Sequence, residues 1–250
     1  MNAGGVYPAL AILVLFLGLI LFFARRVQAG HFPSLRRIQA FNSIKGAAAR
    51  AVEEGRPFHL GLGTGHVTDV TTADTLAGLY TLDYLAEQAA ATNAPPIVTM
   101  ADPAAMLLAH NSLRQAYGEK DSDAVKAYRD VRFIGPQPAT YAAGLMALLG
   151  VEDAAANVLI GRFGDEYLLM GEAAAWRNTE HIGGTSDPNV LPFVYASAQE
   201  TLLGEEIFAT GAYLQRKVAH VGSLLAQDTM RWLISLAIGL GVITKTIGLW

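Results

Sequence analysis

The sequence predicts an α/β fold with a mainly parallel sheet of about five strands, helices on both faces of the sheet, and an apolar helix at each end of the chain. Between residues 57 and 188, short apolar runs bounded by Gly, Pro or Asp alternate with longer segments of helical periodicity. Repeated strand–helix units of this kind build parallel sheets. Residues 6–24 and 231–250 are long apolar segments. We therefore expect one α/β domain between two membrane spans.

The segment 6–24 has the length of a membrane-crossing helix. Its 19 residues carry no charge, and at 1.5 Å per residue they cover about 28 Å, close to the thickness of a hydrocarbon core. Arg25 and Arg26 follow it, and no basic residue precedes it. A cleavable signal peptide has the opposite charge order, so we expect this anchor to be retained.

A second span is predicted over residues 231–250, with Trp232 and Trp250 at its ends and Lys245 near its far end. Basic residues cluster after the first span and before the second; they are Arg25, Arg26, Arg36, Arg37, Lys45, Arg50, Arg216, Lys217 and Arg231. The positive-inside rule then predicts a two-pass protein of the cell (inner) membrane, with a cytoplasmic domain and both termini outside.

The predicted elements follow one another without an internal repeat or a flexible linker. An amphipathic helix at residues 37–54 either packs on the domain or lies on the membrane surface. Strands are predicted at residues 57–62, 97–100, 131–134, 157–161 and 179–182. Helices are predicted at residues 71–91, 103–117, 119–130, 190–198, 201–214 and 216–250, with two more that end near Leu149 and Arg177.

This order of elements predicts four segments. They are a transmembrane anchor at 1–26, a basic connector with the amphipathic helix at 27–56, a cytoplasmic Rossmann-like α/β domain at 57–214, and a stalk helix at 215–250 that continues into the second span. The chain has no cysteine, which excludes disulfides and thiolate chemistry.

Charge is divided unevenly along the chain. Residues 51–215 contain 8 Lys and Arg against 21 Asp and Glu, a formal charge of −13, whereas the whole chain carries −4. Basic flanks suit contact with anionic membrane lipid. An acidic body argues against nucleic acid as a partner, since phosphates need cations.

Candidate ligand-binding residues lie where the strands end, because open parallel sheets bind ligands at the carboxyl ends of their strands. They are Gly61, Gly63, Thr64, Gly65, His66, Asp102, Gly164, Asp165, Gly183, Gly184, Thr185 and Ser186. The loop 61–66 resembles a phosphate cradle, but His66 stands where the dinucleotide fingerprint has a third glycine. A tight structural turn is the alternative there, and an ordinary strand-to-helix connection is the alternative at 183–187.

Other motifs give no catalytic constellation. The six histidines show no metal-ligand spacing, and neither GxSxG nor GxxxxGK[ST] occurs. We therefore predict no catalytic residue and no metal ligand, and the cofactor, if any, stays unknown. Ala and Gly are abundant in the predicted helices, which favours close helix packing and a homo-oligomer.

Four segments carry a resemblance to a known family. They are EEGRPFHLGLGTG at 53–65, ADP at 101–103, GEEIFATGAYL at 204–214 and LAQD at 225–228. The chain resembles a prokaryotic family of membrane-anchored proteins with a domain of unknown function and two terminal spans. The resemblance implies no activity. It implies that a set of residues near the membrane belongs to the family's pattern, namely Glu205, Glu206, Tyr213, Gln227 and Asp228.

These observations lead to two functional expectations. The first is a non-enzymatic scaffold that self-associates or docks a membrane protein complex at the cytoplasmic face of the membrane. The second is a sensor or enzyme that binds a small ligand or nucleotide at the strand ends.

Overall fold

The computed structural model describes residues 3–92, 96–118 and 129–246. Two compact units divide the chain. The first, called here the terminal unit, holds the described residues up to Arg36 and those from Arg216 onward. The second, called here the α/β body, is Arg37–Gln215.

A six-stranded parallel sheet forms the centre of the α/β body. Its strands are β1 (Phe58–Gly63), β2 (Pro96–Met100), β3 (Val131–Phe133), β4 (Ala156–Arg162), β5 (Glu180–Thr185) and β6 (Glu200–Leu203). They lie in the order β3-β2-β1-β4-β5-β6. This is the strand order of the Rossmann fold, so the predicted α/β class is confirmed, with one strand more than expected.

Helices cover both faces of this sheet. Within the body they are α2 (Gln39–Glu54), α3 (Thr72–Thr92), α4 (Pro103–Tyr117), α5 (Pro138–Glu152), α6 (Tyr167–Trp176), α7 (Leu191–Ser197), a 3-10 helix (Gly204–Ala209) and α8 (Thr210–Tyr213). The terminal unit contains α1 (Ala3–Gln28) and α9 (Val218–Thr246). The charged helix predicted at 119–130 lies, apart from its last two residues, outside the described residues.

Alternation along β1 separates the two faces of the sheet, because successive side chains of a strand point to opposite sides. Leu62 meets α3 on one face, where a β-carbon on Gly78 would lie 2.7 Å from the Leu62 side chain. On the other face, α5, α6 and α7 bury an apolar cluster that includes Tyr141, Tyr167 and Val194. Both faces of the sheet are therefore closed to water, as expected for parallel strands.

Helix α2 buries an alanine-rich face; its buried residues are Ala40, Phe41, Ile44, Ala47, Ala48 and Ala51. The ring of Phe41 stacks on Tyr213 at a centroid distance of 4.7 Å. Both rings belong to the α/β body. These contacts agree with the interpretation of α2 as a packing helix rather than a membrane-surface helix.

The helix predicted at 201–214 was wrong. Glu200–Leu203 forms β6, which pairs with β5 from Ile182 to Thr185, and Gly204 then turns the chain at a φ of +63°. The open edge of β5 offers backbone hydrogen bonds to this segment, and tertiary pairing of that kind outweighs the helix preference of a short stretch. Only the 3-10 helix and α8 remain helical in this region.

Among the described residues, Tyr7–Gln28 is the segment long and apolar enough to cross a membrane, with a mean hydropathy of 2.6 over its most apolar part. The second predicted span is not confirmed. Its described part lies in α9, which contains Arg231 and Lys245, and residues 247–250 lie outside the described residues.

Candidate functional site

The candidate site is the carboxyl edge of the sheet beside β1 and β4, called here the strand-end edge. Strand order reverses at this point, since β2 follows β1 on one side and β4 lies on the other. Rossmann-type sheets bind ligands beside such a reversal. The structure brings the loop after β1, Asp102 after β2, the loop after β4 and Ser186 after β5 to this edge.

The glycines at the end of β1 and just after it serve close packing. Gly63 has a φ of +78°, and a β-carbon there would collide with the carbonyl oxygen of Arg162. The next residue, Thr64, donates its N–H to that same oxygen at 2.8 Å. A β-carbon on Gly65 would lie 2.6 Å from Oγ1 of Thr75. The loop is therefore a tight turn held against β4, and α3 begins only at Thr72.

His66 lies beside Asp102, with 3.5 Å between Nδ1 and Oδ1. Asp102 caps α4 by accepting the N–H groups of Ala104 and Ala105, and it also accepts the N–H of Val67. Burial alone would raise the pKa of the Asp102 carboxyl, but these backbone hydrogen bonds and His66 together lower it. Asp102 therefore stays ionised and fixes the loop after β1 to the start of α4.

The start of α3 is held by side-chain hydrogen bonds of Asp69 and Thr71. Asp69 accepts hydrogen bonds from the N–H and the hydroxyl of Thr71, at 2.7 and 2.6 Å. The hydroxyl of Thr71 in turn accepts the N–H of His66 at 2.8 Å. The Asp74 carboxylate points instead to Ser186, whose hydroxyl donates to it at 2.6 Å.

Asp74, Arg162, Ser186 and Asp187 form a polar group at this edge, called here the strand-end cluster. Arg162 lies 2.6 Å from an Asp187 oxygen and 3.7 Å from an Asp74 oxygen. Asp74 and Asp187 are buried, whereas about a third of the Arg162 side chain is exposed. Burial raises the pKa of the Asp74 carboxyl, against the opposing effects of Ser186 and Arg162. Sequence reasoning found Ser186 but missed the other three.

A second polar system crosses the sheet beneath α5 and α6, and sequence reasoning missed it entirely. We call it the buried ladder, and its residues are Tyr141, Thr99, His59, Asn157, His181 and Tyr167. The hydrogen-bond distances along this order are 2.9, 2.8, 2.6, 3.2 and 3.0 Å. Its six side chains are fully buried. One assignment of tautomers makes these five contacts consistent: each member donates to the next, from the Tyr141 hydroxyl to the Tyr167 oxygen. The Nδ1 of His181 also lies 3.2 Å from the carbonyl oxygen of Asn157, to which it would donate in the other tautomer.

Both histidines of the buried ladder are neutral. Burial lowers the pKa of His59 to about 4, and the nearby His181 adds to this effect. Burial also lowers the pKa of His181 to about 4. Burial raises the pKa of Tyr141 to about 12 and raises that of Tyr167 as well. The only sequence signal for this system is a polar residue inside an apolar strand, as in His59 between Phe58 and Leu60.

Besides Gly63 at the end of β1, three of the predicted glycines lie within strands rather than in loops. Gly61 is in β1, and a β-carbon there would lie 2.8 Å from the Tyr141 hydroxyl. Gly183 is in β5, and a β-carbon there would collide with the Tyr167 hydroxyl. Gly184 faces the opposite side, 3.1 Å from Ile207 by the same measure. Gly61 and Gly183 thus leave room for the hydroxyl groups at the two ends of the buried ladder.

The remaining predicted residues are spread over two loops. Gly164 donates its N–H to the Glu166 carboxylate at 2.8 Å, and Asp165 beside it is exposed. Thr185 ends β5 and its hydroxyl accepts the N–H of Asp187 at 3.4 Å. Across the part of the chain that the structure describes, no group of three His, Cys, Asp or Glu side chains is arranged to hold a metal ion.

The residues singled out by the family resemblance fall in both units. Glu206 accepts the N–H of Leu203 at 3.1 Å and so caps the 3-10 helix, and Tyr213 stacks on Phe41. Gln227 and Asp228 lie on α9. Chemically, the strand-end edge offers one guanidinium paired with carboxylates, together with several hydroxyls. The buried ladder offers no group to solvent.

Comparison with known proteins gives one match. A family described as "Domain of unknown function (DUF6754)" matches residues 5–250, which is nearly the whole chain. No curated protein and no solved structure matches the chain. The expected kinship with an uncharacterised family is thereby confirmed, and the chain belongs to the family of the domain of unknown function DUF6754.

Proposed function

We propose that this chain is a non-enzymatic membrane protein that self-associates and serves as a scaffold at the cytoplasmic face of the membrane. One observation carries the proposal: the polar groups that a ligand would need at the strand-end edge are engaged with one another. Arg162, the group an anionic ligand would bind, is held by Asp187 at 2.6 Å. Ser186 donates to Asp74, and His66 lies on Asp102.

An anionic ligand would have to compete for Arg162 against two buried carboxylates. Asp74 and Asp187 carry their carboxylates beside this guanidinium, so an anion placed there would meet like charges. The backbone N–H of Thr64 is also in use, since it donates to the carbonyl oxygen of Arg162. These contacts support a structural role for the edge.

Membrane attachment is supported by α1. Its segment Tyr7–Gln28 is long and apolar enough to cross a membrane, and its outward large side chains are exposed, as in Leu13 and Phe22. We further propose that α9 crosses the same membrane, with the body cytoplasmic and both termini outside. The basic residues that follow α1 and precede α9 support this orientation.

The absence of cysteine allows a clean topology test. In one variant Asn2→Cys places a thiol before α1, and in the other Asp165→Cys places it at an exposed position of the body. In intact cells a membrane-impermeant maleimide should label the first and spare the second, and both should react after lysis. Labelling of Asp165→Cys in intact cells contradicts the proposed orientation.

Self-association is tested by mass in mild detergent. The expected result is a particle with at least two chains of 26.6 kDa each, stable on dilution. A monomer that forms no complex at any concentration up to that of the membrane preparation contradicts the scaffold proposal.

A second candidate function is ligand binding at the strand-end edge. It is favoured by the strand order, because the reversal between β1 and β4 lies beside the loop Gly63–His66. A thermal-shift panel of nucleotides and dinucleotides tests it, with His66→Ala as the variant that should lose the shift. Gly63→Val is unsuitable, because its β-carbon would collide with Arg162. Glu172→Gln, at an exposed site on α6, is the matched control.

A further inference from the structure

The two helices of the terminal unit run antiparallel. Near the end of α1, Ala24 lies so close to Gly222 of α9 that a β-carbon on this glycine would be 2.8 Å from the Ala24 nitrogen. Farther along, Leu13 and Phe16 of α1 line a groove together with Arg231 of α9. Residues farther along α9 therefore pack beside residues earlier in α1, as in an antiparallel helix pair.

This pairing sets the depth of Arg231 relative to the first span. Arg231 is nine residues beyond Gly222, which is about 14 Å along a helix axis. The apolar part of α1 ends at Ala24, beside Gly222. In a hydrocarbon core of about 30 Å, Arg231 therefore lies near the middle of the membrane that α1 crosses.

Polar side chains follow one another along α9 at this depth. Gln227, Arg231 and Ser235 line the groove at intervals of four residues, so they share one face of the helix. Asp228 lies beside them, with 3.9 Å between its carboxylate and the Arg231 guanidinium. The Asp228 and Arg231 side chains are 68% and 62% exposed. We call these four residues the polar face of α9.

We propose that a second copy of this chain docks on the polar face of α9, so that Asp228 of each copy pairs with Arg231 of the other. This inference rests on the proposed function, that is, on membrane attachment and self-association. Ionisable residues within a membrane pair and face other helices, because lipid solvates them poorly. Gln227 and Ser235 can form hydrogen bonds across the same helix pair.

Charge complementarity identifies the occupant as a second copy. Two copies inserted in the same orientation are related by a two-fold axis along the membrane normal, and the same patch then meets itself. Asp228 and Arg231 lie three positions apart, so they are neighbours on one helix face, with the acidic group towards one edge of that face and the basic group towards the other. The axis therefore brings the acidic side of one α9 against the basic side of the other. Each copy supplies both charges, so the interface is neutral and self-complementary.

Charge reversal tests the pairing directly. Asp228→Arg alone and Arg231→Asp alone should each weaken association about tenfold or more, since each places like charges across the interface. The two single variants expressed together should form a mixed dimer, because one then supplies two cations and the other two anions. The double variant with both changes should self-associate as the native chain does.

The measurement is the mass of the full chain in mild detergent over a concentration series. Glu172→Arg, which makes the same charge change at an exposed site of the body, should leave association unchanged. Recovery of the mixed dimer also shows that each single variant folds and inserts.

The outcomes separate this inference from the proposed function. A native chain that associates while both single reversals associate equally well overturns the pairing and leaves the scaffold proposal standing. A double variant that stays monomeric also overturns the pairing. A monomeric native chain overturns both proposals.

Discussion

The α/β body holds two polar systems of opposite character, the buried ladder and the strand-end cluster. The buried ladder is neutral and fully enclosed, with every histidine and tyrosine at a hydrogen-bond distance from a neighbour. The strand-end cluster is charged, and Arg162 is partly exposed. Removing one member of a neutral buried network costs much of the folding free energy, because its partners are left without hydrogen bonds. Removing one member of a charged pair near water costs little. The ladder should therefore govern stability, and the cluster should tolerate change.

Among the substitutions, replacement of Asn157 should have the largest effect on stability. Its side chain links the two histidines, through 2.6 Å to His59 and 3.2 Å to His181. Asn157→Leu keeps the approximate volume and leaves two buried ring nitrogens with fewer partners, at about 1–3 kcal/mol each. We expect a loss of roughly 2–5 kcal/mol in the free energy of unfolding, measured by denaturant titration of the full chain in detergent. Asn157→Leu with unchanged stability contradicts an energetic role for the ladder.

Acidification acts on both histidines at once, and its effect should be at least as large as that of Asn157→Leu. The pKa values of His59 and His181 are lowered to about 4 from an ordinary value of 6.5. The unfolded chain therefore binds more protons between pH 6.5 and pH 4, and stability falls as the pH falls through this window. Each histidine accounts for roughly 3 kcal/mol of this loss in the free energy of unfolding, at 1.36 kcal/mol per pKa unit.

A variant separates this contribution from that of the carboxyl groups. His59→Gln retains hydrogen-bonding capacity but cannot titrate. The part of the stability loss between pH 6.5 and pH 4 that comes from the two histidines should therefore fall by about half. Denaturant titrations of both proteins across this range measure the difference. Parallel pH profiles for the variant and the native chain contradict a neutral buried His59.

Adding one methyl group to β5 should have an intermediate effect. In Gly183→Ala the new β-carbon meets the Tyr167 hydroxyl, and overpacking of this kind costs about 1–3 kcal/mol. In a Tyr167→Phe background the colliding oxygen is absent, so the same change at Gly183 should cost less. A double-mutant cycle on the unfolding free energy measures the coupling. If the effects of the two changes on the unfolding free energy are additive, Gly183 does not serve to make room for the Tyr167 hydroxyl.

The sequence predicted the strand–helix repeats because their signals are local. Apolar runs that end at Gly, Pro or Asp locate strands and helices without the three-dimensional structure. The run that Asp102 ends before α4 is an example. β6 was missed because its partner β5 precedes it at a distance, and pairing at a sheet edge leaves little trace in composition.

The buried ladder could not be predicted from sequence because it depends on register across four strands. His59 lies opposite Asn157, and Asn157 lies opposite His181, and only the assembled sheet places these side chains in line. The strand-end cluster has the same origin, since Asp74 on α3 meets Ser186 after β5, 112 residues later. Thr64, His66 and Asp102 lie beyond the carboxyl ends of their strands, a position that follows from parallel topology alone.

Loss of Arg162 should have the smallest effect of the four. Arg162→Gln removes the 2.6 Å contact with Asp187, but Asp187 keeps the N–H and amide of Asn189, at 3.0 and 3.1 Å. Because about a third of the Arg162 side chain is exposed, water and salt screen the pair, and we expect a loss of about 1 kcal/mol or less. The loss should shrink further in 1 M NaCl, measured by the same denaturant titration, whereas the loss from Asn157→Leu should not depend on salt. A larger and salt-independent cost for Arg162→Gln contradicts the distinction between a charged, tolerant edge and a neutral, rigid interior.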